Sequence, residues 1–215
     1  VSLSVLLVPL LSLKKGEPTK NEASEQISEK EQAVTEGKND SVKVFMQNEN
    51  EVLQLDISEY LVGVLAAEMP ATYHEEALKA QAVAAYTYLL RKRHEQQKAP
   101  DEALKGADLS NNSATHQGYI TKAEREKKWG DKAESYEKKL KKAVEAVEGK
   151  VITYEGEPII AAFHAINSGE TQSAETVWGG EVAYLKGVPS PGDKLSPDCI
   201  KTVAITAKEF SDSVS

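Results

Sequence analysis

One carboxylate in this sequence interrupts an apolar pattern directly before a helix stop. Five apolar residues recur at the spacing of a single helix face: Ile57, Tyr60, Leu61, Val64 and Leu65. The next position on that face is Glu68, and Met69 and Pro70 follow it. Apolar neighbours, desolvation and the negative end of a helix dipole all raise the pKa of a carboxyl group. An acid that stays protonated near neutral pH can donate a proton to a leaving group, so the pattern points to general acid catalysis.

The same pattern also has a structural interpretation. Glutamates near helix ends are usually solvated, and an apolar stripe can drift by one residue where a helix ends. Perturbed carboxylates cluster at functional sites only as a tendency. From this stretch alone, a structural and a catalytic Glu68 both stay open.

Two predicted helices would position this carboxylate. Asp56 and Glu59 have the spacing of a capping box at the start of the first helix. Thr72 and Glu75 repeat that spacing before a second, alanine-rich helix. Its small alanines let another element approach the backbone closely. Two polar-headed residues of this second helix are candidates to line a groove: Gln81 and Tyr86.

Strands are predicted on both sides of the helices. Residues 41–46 and 51–55 indicate a hairpin with a short polar turn, and residues 151–164 indicate another. Residues 129–147 carry a further helical pattern. The order predicts an α+β fold, in which a helical half carrying Glu68 packs against a β-rich half with a groove between them.

A second group of polar residues follows the later hairpin. A strand that ends in polar residues around a glycine commonly forms one wall of a site. His164, Ser168 and Thr171 are therefore candidate groove residues, although His164 is equally well explained as a structural histidine. A Ser-His-acid hydrolase is disfavoured, because the chain has no GxSxG elbow and its polar residues crowd onto one short loop.

Composition excludes some classes of function and divides the chain. A formal charge of −8 and a pI near 5.2 argue against a nucleic-acid partner. A single cysteine, Cys199, permits neither an internal disulfide nor a thiolate metal cluster. We interpret residues 1–13 as the remainder of a membrane anchor or signal segment and residues 14–40 as a flexible polar linker. The folded domain is predicted over residues 41–215, and we expect it to continue beyond them.

Long motifs in this chain resemble those of the stage II sporulation protein D family. They read YLVGVLAAEMP, then EALKAQAVAAYTY, then AVEAVEGKVITYEGEPIIAAFHAINSGETQSAETVW. The resemblance extends over residues 42–188, and motifs of this length and order are far more specific than a short pattern.

The resemblance implies a lytic transglycosylase that cuts peptidoglycan glycan strands, with a preference for strands stripped of their peptides. Glu68 would be the catalytic acid/base at the bond between N-acetylmuramic acid and N-acetylglucosamine, and the product a 1,6-anhydromuramyl end. The resemblance also implies a membrane-anchored, extracytoplasmic protein at the septal membrane of a Gram-positive spore former. Its expected partners are glycan strands, a cell-wall amidase and other engulfment membrane proteins.

Two departures from the family pattern bear on these expectations. The family usually has Arg where this chain has Tyr86, so a nearby cation is lost while hydrogen bonding is kept. Relatives often carry cysteines near residues 115–119, and this chain has none there. We therefore predict no zinc and no other cofactor, and we expect His116 to be an exposed loop residue.

For a glycan partner, two later residues become candidates. Trp178 can stack on a sugar ring, although ordinary core packing explains it equally well. Lys186 can contact a glycan or balance the charge of Glu68. The alternative function is a non-catalytic glycan-binding module that enhances a cell-wall amidase. Glu68 on the apolar stripe favours the enzyme, and Tyr86 favours the binder.

Overall fold

The computed structural model describes residues 41–196, 200, 202 and 204–214, and the predicted anchor and linker (residues 1–13 and 14–40) lie outside this range. The fold is α+β, as the sequence predicts. The strands are β1 (Ser41–Met46), β2 (Glu51–Asp56), β3 (Leu109–Ser110), β4 (Thr153–Tyr154) and β5 (Glu157–Pro158). The α-helices are α1 (Ile57–Glu68), α2 (Glu75–Lys98), α3 (Lys122–Trp129), α4 (Ala133–Glu145), α5 (Ala174–Trp178) and α6 (Ala207–Val214). Short 3₁₀ turns lie at Glu102–Leu104, Gly130–Lys132 and Pro191–Leu195.

The chain divides into two compact units, the first ending at His164 and the second beginning at Ala165. The first unit contains a three-stranded sheet in the order β2-β1-β3 and helices α1 to α4. Its core joins sheet and helices, because Val42 and Val44 of β1 are buried with residues of all three of the helices α1, α2 and α4. No helix among the residues that the structure describes is long and apolar enough to cross a membrane.

The sheet confirms one predicted hairpin and adds a strand. β1 and β2 pair antiparallel, with Val44 opposite Leu53. β3 pairs parallel with β1, placing Leu109 beside Val44. Parallel neighbours need a long crossover connection, and here the crossover contains α1 and α2.

Helix α1 is buried on nearly all sides and not along one stripe. Asp56 caps it as predicted, accepting hydrogen bonds from the Ser58 and Glu59 amides at 2.8 and 3.3 Å. Glu59 does not complete the capping box and pairs instead with Arg125. Every residue from Tyr60 to Ala66 is buried, because α2, α3, α4 and β1 all contact this helix.

Helix α2 begins later than predicted. Its N-cap is His74, whose Nδ1 accepts the Glu76 amide at 3.3 Å, so the expected Thr72–Glu75 capping box does not form. The inner face of α2 consists of fully buried small and aliphatic residues: Leu78, Ala82, Ala85 and Leu89.

The later hairpin is shorter than predicted. Only Thr153–Tyr154 and Glu157–Pro158 pair, around Glu155 and Gly156, which both have positive φ. Two central residues with positive φ are typical of a type I′ turn. Residues 159–163 have no regular structure. In the second unit, the described residues 202, 204 and 205 are also irregular.

Candidate functional site

Glu68 is the last residue of α1 and is half-buried. Its Oε1 accepts a hydrogen bond from the Gly118 amide at 2.6 Å. Desolvation raises the pKa of this carboxyl group, and the Gly118 N–H lowers it by a smaller amount. Within the described part of the chain, Oε2 has no hydrogen-bond partner. One oxygen of the carboxyl is therefore held in place, while the other is available to carry a proton.

The segment that holds Glu68 crosses α1 at a glycine. Ile120 donates its amide to the Gly63 carbonyl at 3.4 Å. The Tyr119 ring lies over the Gly63 Cα and stacks on Tyr60 at a centroid distance of 5.7 Å. A Cβ at position 63 would overlap the Tyr119 ring and lie 2.7 Å from the Ile120 carbonyl oxygen. The close crossing therefore requires glycine at this position.

Gln117 fixes the start of this segment between two helices. Its Nε2 donates to the Tyr60 hydroxyl at 2.7 Å and to the Ala85 carbonyl at 3.3 Å. Burial raises the pKa of Tyr60 far above its ordinary value, so the hydroxyl stays neutral. α1 and α2 together hold the backbone that donates to Glu68.

A buried arginine fixes the other end. Arg125 of α3 is fully buried and makes a bidentate pair with Glu137 of α4 at 2.9 and 2.7 Å. The same guanidinium donates to Glu59 at 2.6 Å and to the Ile120 carbonyl at 3.0 Å. One side chain thus joins α1, α3, α4 and the crossing segment.

Glu68 forms part of the wall of an open recess of about 420 Å³. The lining is mixed in polarity and comes from α1, α3 and the connection between β3 and α3: Ala67, Glu68, Asn111, Ser113, Gly118, Tyr119, Ile120, Glu124 and Lys128. Lys128 extends to the end of α1, where its Nζ donates to the Ala66 carbonyl at 2.8 Å. Chemically, the recess offers one desolvated acid, one fixed cation and several hydrogen-bonding groups.

The candidate residues of α2 lie in the protein core. Gln81 is only 2 % exposed and does not line the recess around Glu68. Tyr86 is half-buried and packs against the same core. That these two residues bind substrate remains a prediction.

The remaining candidate groove residues, near and beyond the boundary between the two units, differ in burial and in their hydrogen-bond partners. His164 is half-buried and Ser168 is exposed. Thr171 is buried, and its Oγ1 accepts the Val188 amide at 2.9 Å, so this hydroxyl holds the local backbone. Trp178 is 56 % exposed at the end of α5, and Lys186 is exposed and pairs with Glu181 at 3.4 Å. Their membership of a groove with Glu68 stays a prediction.

The sequence reasoning missed the contribution of residues 111–128, which comprise the connection from β3 to α3 and most of α3. Residues 111–128 have little pattern, yet they supply Gly118, Lys128 and Arg125. His116 in this segment is half-buried and not exposed, because it bonds the Ser110 and Thr115 hydroxyls at 3.0 and 3.1 Å. Burial lowers its pKa. The available signal was the capping box of Thr121 and Glu124, which marks the start of α3.

A metal centre is not apparent in the described ranges. Residues 41–196 and the shorter described stretches after them contain no group of three or more His, Cys, Asp or Glu side chains able to hold one ion.

Comparison with known proteins identifies relatives over most of the chain. The family model described as "Stage II sporulation protein" (SpoIID) matches residues 46–154. The chain is 43 % identical over 173 residues to "Stage II sporulation protein D" of Bacillus subtilis (strain 168), covering 79 % of this chain and 49 % of that protein. Its identity to the protein of the same name from Bacillus amyloliquefaciens is 37 % over 170 residues, or 79 % and 48 % of the two chains.

A relative with a different name is also similar. The chain is 35 % identical over 127 residues to the "Amidase enhancer" of Bacillus subtilis (strain 168), covering 58 % of this chain and 14 % of that protein. The chain spans about half the length of the two sporulation proteins that it matches.

Proposed function

From the premise that the chain belongs to the stage II sporulation protein D family, we propose that it is a peptidoglycan lytic transglycosylase with Glu68 as its acid/base. The substrate is the bond between N-acetylmuramic acid and N-acetylglucosamine in peptide-stripped glycan strands. The product is a 1,6-anhydromuramyl end, formed during septal cell-wall remodelling in sporulation.

The observation that carries this proposal is the environment of the Glu68 carboxyl. Desolvation raises its pKa, which keeps it protonated to a higher pH than an exposed glutamate. The Gly118 amide donates to Oε1 at 2.6 Å, which orients the carboxyl in the wall of the recess and leaves Oε2 to carry the proton. A positioned acid of this kind contributes about 10²–10⁴-fold to a rate.

The reaction uses this carboxyl twice. Glu68 donates its proton to the glycosidic oxygen as the bond from that oxygen to the muramyl C1 breaks, releasing the N-acetylglucosamine hydroxyl. The muramyl C6 hydroxyl then bonds to C1 and gives its proton to the Glu68 carboxylate. The acid is regenerated and no water is consumed. A glycosidase that uses water or a covalent intermediate needs two carboxylates, whereas this cyclisation needs one.

The direct test is cleavage by Glu68→Gln. Glutamine keeps the acceptor for the Gly118 amide but has no acidic proton to transfer, so the variant should fold normally and lose anhydromuramyl products by at least about 100-fold. The measurement is mass spectrometry of peptide-free glycan strands after incubation with the chain. Glu124→Gln is the matched control, since Glu124 lines the same recess but uses its carboxylate to cap α3. Unchanged product formation by Glu68→Gln would refute the mechanism.

A second candidate function is a glycan-binding module that enhances a cell-wall amidase. The similarity to a protein named "Amidase enhancer" favours it, as does Tyr86 in place of the family arginine. Under this alternative the wild-type chain binds glycan and stimulates an amidase, yet forms no anhydromuramyl ends.

The proposed setting follows from the same relatives and from the sequence. An apolar segment at residues 1–13 followed by a polar linker suits a domain tethered outside the cytoplasmic membrane. The proposed partners are glycan strands, a cell-wall amidase and other engulfment membrane proteins.

A further inference from the structure

We propose that Lys128 binds the free lactyl carboxylate of a peptide-stripped muramyl residue, and that this contact makes the recess prefer stripped strands over peptide-bearing ones. The inference rests on the proposed function, because it assigns a substrate group to the recess of Glu68.

The position of Lys128 is the first argument. It lies in the last turn of α3 and reaches α1, where Nζ donates to the Ala66 carbonyl at 2.8 Å. Ala66 and Glu68 are two residues apart, which separates them by about 3 Å along the helix axis. Both Lys128 and Glu68 line the same recess. The two side chains therefore belong to one recess, and the hydrogen bond to Ala66 holds the ammonium against α1.

The state of the ammonium is the second argument. A lysine has three N–H donors, and in the part of the chain described here Lys128 uses one, toward the Ala66 carbonyl. No carboxylate pairs with it among those residues. Several other lysines do have a carboxylate within 4 Å: Lys79, Lys92, Lys142 and Lys186.

Neither of the two acidic residues that line the recess forms an ion pair with Lys128. Glu124 precedes Lys128 by one helical turn, but its carboxylate bonds the Thr121 amide and hydroxyl at 2.7 and 2.8 Å. The raised pKa of Glu68 arises from desolvation, which the Gly118 amide only partly offsets. The lysine thus presents unused donors to the recess while leaving the acid free to keep its proton.

The chemistry of the substrate supplies the matching group. A muramyl ring carries the scissile bond at C1 and a lactyl ether at C3, so one ring can face both Glu68 and Lys128. With a peptide attached, the lactyl group ends in a neutral amide. After an amidase removes the peptide, it ends in a carboxylate. A cation at this place distinguishes the two forms, and it attracts an anionic strand locally although the chain has a net charge of −8.

The test measures binding in the full chain carrying Glu68→Gln, so that turnover is not required. Two probes are titrated by calorimetry: a muramyl-containing tetrasaccharide with free lactyl carboxylates, and the same sugar with these converted to methylamides. A charge-assisted hydrogen bond predicts about tenfold tighter binding of the carboxylate form. Adding Lys128→Met should remove that preference and leave affinity for the methylamide unchanged.

Two controls keep the result specific. Lys127→Met removes a neighbouring exposed lysine of α3 and should retain the preference. Lys128→Gln keeps an N–H donor for the Ala66 carbonyl but removes the charge and should lose the preference, which separates charge recognition from support of that carbonyl.

The inference is overturned if Lys128→Met keeps the full preference, or if the Glu68→Gln chain shows none. The proposed function fails separately, if the wild-type chain makes no anhydromuramyl ends. An active enzyme whose carboxylate preference survives Lys128→Met would reject the present inference alone.

Discussion

At the residue scale, the carboxyl of Glu68 is subject to two opposing influences. Partial burial disfavours its charge, and the Gly118 N–H stabilises that charge at a distance of 2.6 Å. The burial dominates, so the pKa is raised. The amide nonetheless has a second effect, because it fixes the orientation of the group whichever protonation state is present.

This balance predicts how stability depends on pH. Because the folded-state pKa of Glu68 is raised, its contribution to stability is fully present below the ordinary glutamate pKa. That contribution is lost as the pH rises through the folded-state pKa. Glu68→Gln removes the titration but keeps the acceptor for Gly118, so the wild type should lose stability relative to the variant across this range. Urea unfolding at a series of pH values measures the difference in the free energy of unfolding. A wild type that becomes more stable relative to the variant as the pH rises would contradict the prediction.

A second prediction concerns the space beside the acid. A Cβ at position 118 would lie 3.0 Å from Glu68 Oε1 and 3.3 Å from the Ala67 Cβ. Gly118→Ala keeps the N–H but moves the carboxyl by a fraction of an ångström. We expect the fold to persist and cleavage of stripped glycan to fall by about 10–100-fold, since small misplacements of reacting groups are costly.

The matched control for this prediction is Gly192→Ala. A Cβ at position 192 meets nothing within 4 Å, so this variant should cleave at the wild-type rate. Equal activity of the two alanine variants would show that the close contact at Gly118 does not position the acid.

At the element scale, α1 owes its position to long-range contacts and not to its own amphipathicity. The residues from Tyr60 to Ala66 are buried, and the contacts of Arg125 connect α1 with α3 and α4. A buried arginine with two carboxylates is costly to remove, because the partly buried carboxylates lose their compensating charge and their hydrogen bonds.

Arg125→Met should therefore be among the most destabilising substitutions of a charged residue in this chain. We expect it to lower the free energy of unfolding by about 3–5 kcal/mol, because Glu59 and Glu137 lose their partner. Chemical denaturation followed by circular dichroism measures the change. Lys122→Met, an exposed change on the same helix, should stay within about 0.5 kcal/mol. A loss for Arg125→Met no larger than for Lys122→Met would mean that the ion pairs do not hold these helices together.

The elements that could be predicted from the sequence have local signals. The β1–β2 hairpin has an alternating pattern and a polar turn, and α1 has Asp56 at its N-cap. The predicted start of α2 was wrong, because Thr72 and Glu75 have the spacing of a capping box although His74 is the residue that caps the helix. β3 has only two residues, and it exists because it pairs with β1 more than sixty positions earlier. Pairing over such a separation leaves no mark in the local sequence.

At the scale of the whole molecule, some residues of the candidate site could be predicted from local sequence and others could not. Glu68 could be singled out because it breaks a helical pattern, which is a local property. Gly118 could not, because its importance comes from meeting α1 across the fold. Lys128 resembles any exposed lysine of a charged helix, and only its contact with the Ala66 carbonyl distinguishes it. The interpretation of α1 as a one-sided stripe failed for a related reason, since neighbours distant in sequence cover its other faces.

The separation between Glu68 and Gly118 has a consequence for the order of events in a cell. A ribosome completes α1 fifty residues before it adds the amide that anchors the acid. Until residues 117–120 arrive and lie across Gly63, the glutamate is an ordinary solvated side chain. Under the proposed function, a nascent or half-exported polypeptide therefore cannot yet cleave glycan, and cleavage begins only after the crossing segment has closed over α1.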